Sequence, residues 1–95
     1  MPQQRAVIVP IIHLNGDRAA TLIQRLEATW DTLDAAATRL QACAPNGRNY
    51  YPDPGRMDQA EAQHRWRQHQ IQDLLESLEA EIAAIQAQQR EPRSV

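Results

Sequence analysis

Asn46-Gly47-Arg48-Asn49-Tyr50-Tyr51 places a flexible turn, two side-chain amides, a guanidinium and two aromatic rings in one short stretch. These are the groups that recognise a nucleotide. A guanidinium forks onto phosphate, an aromatic face stacks on a base, and amides reach ribose or base edges. The competing reading is a turn whose two tyrosines fold onto the helix ends and plug the core. Further on, His64 and Arg67 occupy positions that a helical seam would otherwise give to apolar side chains. In an antiparallel hairpin they face the small side chains of Ala35, Ala36 and Ala37, which predicts a cavity. A buried Arg67 then needs either an acidic neighbour, Asp31 or Asp34, or an anionic ligand. In the nucleotide reading Arg48 or Arg67 holds phosphate, Tyr50 or Tyr51 stacks on the base, and His64 hydrogen-bonds ribose or phosphate.

A second polar cluster, His13, Asn15, Gly16 and Arg18, stands where the first helix begins. Free amides at a helix start suit anions, although an ordinary capped helix accounts for the same residues. The two clusters fall at opposite ends of one hairpin, ~40 Å apart at ~1.5 Å per helical residue. An antiparallel second copy would bring them together, which predicts a site shared between subunits with His13 and Asn15 supplied by a neighbour.

Other chemistry finds no purchase. His13, His64 and His69 are the only histidines, none four residues from another, and Cys43 is the only cysteine. That excludes the spacing of a structural zinc site and any internal disulfide. Cys43, near the end of a seam helix, reads as a small packed hydrophobe, and Ser77 and Ser94 have no base at a useful spacing. Glu76, Glu79 and Glu81 read as a solvated face. The expectation is a protein that is not an enzyme and carries no cofactor.

The elements that must position these groups follow from hydrophobic spacing. Residues 1–16 hold Ala-Val-Ile-Val-Pro-Ile-Ile-His-Leu, a β-branched run broken by Pro10, and predict an extended arm. Asn15-Gly16-Asp17 predicts a turn with Asp17 as helix cap. Ile23, Leu26, Trp30, Leu33, Ala37, Leu40 and Ala44 alternate steps of three and four, predicting a helix over 18–44. Residues 45–54 form a connector. Asp53-Pro54 opens a second helix over 55–89, before a tail at 90–95. Its predicted seam is Met57, Ala60, His64, Arg67, Ile71, Leu74, Leu78 and Ile82 or Ile85, with Leu75 widening the stripe. Trp66 falls off that seam, on the outer face. The fold class is all-α: an antiparallel helical hairpin with an extended N-terminal arm, assembling into a homo-oligomeric bundle.

Composition supports the need for assembly. The chain has 95 residues, and its 42% hydrophobic content includes no Phe and only 4% aromatics. Much of the rest is Ala, so one copy closes a thin core. With a formal net charge of −2 and no basic helix stripe, double-stranded nucleic acid and membrane surfaces are poor partners. The longest apolar run, Ala6 to Ile12, is too short to span a bilayer, and no secretory signal is expected. All cationic residues are Arg, which suits anion binding and equally reflects GC-rich coding.

His13-Leu14-Asn15-Gly16 before a helix, Ala44-Pro45-Asn46-Gly47-Arg48-Asn49-Tyr50-Tyr51-Pro52 after it, and a His near the start of the next helix resemble a widespread family of small phage and prophage proteins. The resemblance covers nearly the whole chain, and Pro-Asn-Gly-Arg-x-Tyr-Tyr is its specific part. The family pattern carries Thr-Ser at Asp17-Arg18 and an acidic residue at Asn49. The resemblance implies a phage protein acting in the cytoplasm of an infected bacterial host. Phage proteins of similar build include the sequestin type, which captures a cyclic ADP-ribose isomer made by TIR-domain defence proteins. The function so implied is anti-defence: sequestration of a nucleotide immune signal in pockets of a homo-oligomer. The alternative is a helical structural or protein-interaction module with no small-molecule ligand.

Overall fold

A computed structural model describes residues 6–90. The first part of the expected arm and the expected tail from residue 91 lie outside the described residues. Within them the chain is all-helical and carries no strand: α1 spans Ala19–Gln41, a short 3₁₀ turn spans Gly47–Asn49, and α2 spans Pro54–Arg90. The two helices pack along each other as an antiparallel pair.

The seam of α1 is the predicted one. Ile23, Leu26, Trp30, Leu33, Ala37 and Leu40 are half-buried while their polar neighbours are exposed. The helix stops three residues short of Ala44, which is exposed. A residue preceding proline is disfavoured in helical conformation, and Pro45 follows Ala44. The last turn tightens instead, with Ala42 and Cys43 donating to the carbonyls of Arg39 and Leu40 at 3.1 and 2.9 Å. At the other end Asp17 is not the cap. Arg18 holds the N-cap position without a side-chain bond, and the Asp17 carboxylate pairs with Arg25 at 3.2 Å.

Asp53 does cap α2, its Oδ1 accepting the Arg56 N–H at 3.3 Å with Pro54 as the first helical residue. The inner face of α2 corrects the predicted seam by one notch. Leu75 is buried and Leu74 is 48% exposed, while Arg67 is exposed. Gln68, not Arg67, borders the groove beside Ala37, Leu40 and Ile71. The expected burial of Arg67 opposite Ala35, Ala36 and Ala37 therefore does not occur; Ala35 and Ala36 are themselves exposed.

The core is thin. Among the described residues Ala19, Leu75 and Ile85 are the buried hydrophobic side chains, with Ile85 at 0% exposure. The radius of gyration is 19.2 Å, against about 12 Å for a compact chain of this length. With 37 residues against 23, α2 outruns α1, by ~21 Å at ~1.5 Å per residue. The surplus falls at the start of α2: Gln41, at the end of α1, borders a groove with Gln68 and Gln72, whereas Ala19, at the start of α1, borders a cavity with Gln88 and Gln89 beside the segment 6–18. Gln88 fixes that segment, donating from Nε2 to the Pro10 carbonyl at 2.8 Å and accepting the Ile12 N–H at Oε1 at 3.1 Å. Val7, Val9, Pro10 and Ile12 are half-buried there, whereas Ile8, Ile11 and Leu14 are exposed.

Candidate functional site

Asn46 organises the connector. Its side-chain Oδ1 accepts the Arg48 N–H at 3.0 Å and its carbonyl accepts the Asn49 N–H at 2.9 Å, an Asx turn that winds residues 47–49 into a 3₁₀ turn. Tyr50 then leads into a second turn, its carbonyl accepting the Asp53 N–H at 2.9 Å. The two tyrosines part company: Tyr50 is half-buried and Tyr51 is 83% exposed. Only Tyr50 can act as a plug. Arg48 is exposed and makes no side-chain ion pair or hydrogen bond among the described residues.

His64 is at the predicted seam position, 8% exposed, and its Nδ1 is buried without a hydrogen-bond partner among the described residues. A buried polar atom left unsatisfied costs about 1–3 kcal/mol, so His64 is an expensive choice for a merely apolar slot. Arg67 lies three residues on but points away from the seam. Neither Asp31 nor Asp34 pairs with it. The argument that a buried guanidinium demands a ligand therefore does not apply to Arg67.

The other cluster lies near the far end of α2. His13 is exposed, its carbonyl accepts the Gly16 N–H at 3.2 Å, and its Nδ1 accepts the Asn15 N–H at 3.3 Å. A Cβ on Gly16 would stand 3.0 Å from the His13 Nε2, so a larger residue there would make the exposed ring shift by a few tenths of an ångström. His13, Arg18 and Gln88 border an open cavity of about 660 Å³. The structure thus unites His13 with Asn15, and places Arg48, Tyr50 and Tyr51 in one connector. It does not bring the two sets together within one chain.

One arrangement escaped the sequence reading. Trp30 borders a cavity of about 470 Å³ with Glu27, Asp31 and Glu79, and its indole Nε1 is buried without a partner among the described residues. The spacing of Glu27, Trp30 and Asp31 was the available signal, since residues three and four apart share a helix face. This groove repels anions. The charge of the hairpin is in fact divided along its length: residues 35–72 carry five arginines against three carboxylates, and the remaining described residues carry eight carboxylates against three arginines. An anion is drawn to the connector end. Among the described residues no group of three or more His, Cys, Asp or Glu side chains is placed to hold a metal ion, and no helix is long and apolar enough to cross a membrane.

In comparisons with known proteins, no family model, curated protein or solved structure matches this chain.

Proposed function

We propose that this chain is a non-enzymatic binding protein that captures a phosphate-bearing nucleotide at the connector of a homo-oligomer. In its biological setting it sequesters a nucleotide signal of bacterial immunity, of the cyclic ADP-ribose type, during phage infection. The observation that carries this reading is the split connector: Tyr50 turns inward while Tyr51 and Arg48 stay exposed on the end of the hairpin where positive charge is in excess. Arg48 supplies charge-assisted bonds to phosphate, Tyr51 a stacking face, and His64 of α2 a buried polar atom in need of a partner. His13 and Asn15 come from a neighbouring copy and complete the site. Arg67 is exposed and stands outside the hairpin seam.

Mass spectrometry of the native protein purified from cells expressing a TIR-domain defence system tests this directly, followed by calorimetry with cyclic and linear ADP-ribose. Bonds from Arg48 to phosphate are worth roughly 1.5–3 kcal/mol each, so Arg48→Ala weakens binding by at least about tenfold while leaving the fold unchanged. No bound nucleotide and no heat would turn the interpretation to a protein-interaction module. Exposed Ile8, Ile11 and Leu14 favour that second reading, because large apolar side chains left exposed along one surface segment suit contact with another protein.

A further inference from the structure

We infer that the outer flank of α2 is a self-complementary interface, docking a second copy antiparallel about a two-fold axis at Leu74. Arg67, Leu74 and Glu81 are spaced by seven residues, so they form one stripe along α2 with a drift of only ~20° per step. Leu74 is 48% exposed and stands outside the hairpin seam, whose place at that turn belongs to buried Leu75. Arg67 is exposed, Glu81 half-exposed, and neither forms an ion pair among the described residues.

A two-fold axis at Leu74 reverses the second helix. Leu74 then packs on its own copy, and Arg67 of each chain stands level with Glu81 of the other. Charge complementarity thus selects the antiparallel pairing. A parallel pairing in register would set Arg67 against Arg67 and Glu81 against Glu81. These surface pairs set register more than strength. Area comes from the rest of the flank. Trp66, 61% exposed, lies ~80° round the helix from Leu74 and widens the patch. A stable pair buries roughly 800 Å² per partner, about a tenth of the 8013 Å² surface of this chain.

The same axis bears on the nucleotide site, and this step rests on the function proposed above. Ala60 and Gln88 are equidistant in sequence from Leu74, so Gln88 of one copy stands level with Ala60 of the other. His13 shares a cavity with Gln88. It therefore arrives about one turn of α2 from His64 of the other copy, where the connector needs it. The dimer makes one site from the two separated clusters.

Charge reversal tests the axis. Light scattering of the free wild-type protein is expected to give a multiple of 10.8 kDa with an even number of subunits. Arg67→Glu and Glu81→Arg each place like charges across the axis twice, and each weakens self-association at least about tenfold. The double variant Arg67→Glu/Glu81→Arg restores it. Leu74→Cys in a Cys43→Ser background forms a disulfide-linked dimer on mild oxidation. A wild-type monomer at ~100 µM, single variants that associate as wild type, or a folded double variant that stays dissociated would each overturn the interface. These readouts use no ligand. A dimer rescued by the swap that gives no heat with cyclic ADP-ribose upholds the axis and rejects only the nucleotide function.

Discussion

Gln88 and Pro10 are joined by a side-chain hydrogen bond of 2.8 Å from the Gln88 Nε2 to the Pro10 carbonyl, and the same amide accepts the Ile12 N–H. One side chain near the end of α2 thus satisfies two backbone groups of the segment leading to α1. Each such bond contributes about 0.5–1.5 kcal/mol net. Gln88→Ala is expected to cost about 1–2 kcal/mol in urea unfolding and to speed amide exchange at Ile12. Gln88→Glu, which keeps an acceptor but sets a carboxylate against the Pro10 carbonyl, is expected to cost at least as much. A melting curve unchanged in both variants would show that the segment is not held there.

His64 offers a stability measurement with a definite sign. Its Nδ1 is buried and unpartnered, so His64→Leu removes an unsatisfied polar atom while keeping side-chain volume on the seam. The variant is expected to be as stable as the wild type or more so, by up to about 2 kcal/mol, and to bind nucleotide less tightly. A loss of stability above ~1 kcal/mol would identify His64 as a structural hydrogen-bonding group.

Two aspartates that look alike in the sequence are expected to behave differently. Asp53 accepts the Arg56 N–H at the start of α2, and Asp53→Ala should cost about 1 kcal/mol. Asp17 makes an exposed ion pair with Arg25 and caps nothing, so Asp17→Ala should stay within about 0.5 kcal/mol of wild type. Equal losses from the two substitutions would contradict the capping assignment.

Ile85 is wholly buried in a chain with few buried hydrophobics. Ile85→Ala is expected to cost 2–5 kcal/mol, which for a core this thin amounts to unfolding near physiological temperature. Leu74→Ala should instead leave the free chain nearly unchanged and act through assembly, so its effect on melting should grow with protein concentration.

The two helices were legible in the sequence because their apolar side chains recur in steps of three and four, and α1 kept that register throughout. On α2 the register was ambiguous where Leu74 and Leu75 are adjacent. His64, Ile71 and Leu78 satisfy either reading, and polar Gln68 gave the inner one no vote. Placing Arg67 on the seam was the result. Asp53-Pro54 announced its helix because proline fixes the first residue. Asn15-Gly16-Asp17 misled because the turn closes on His13, and Arg25, two helical turns on, competes for the Asp17 carboxylate. The connector was legible as a kit of residue types, but which tyrosine turns inward depends on tertiary packing and left no trace in spacing. The Trp30 groove is not visible along either helix alone, because Glu27 and Asp31 lie on α1 and Glu79 on α2.

The unequal lengths of α1 and α2 predict a graded resistance to opening along the hairpin. Midway, each turn of α2 is braced by a turn of α1, and amide hydrogens there should exchange only when the whole chain unfolds. Toward its start α2 runs past the end of α1, whose Gln41 borders a groove with Gln68 and Gln72. Residues near Met57 can therefore fray while the rest of the helix stays intact. A molecule that bridged the connector of one copy to His13 of another would clamp that weak end. Its arrival would be recorded as slowed exchange over the first turns of α2, with the centre unaltered.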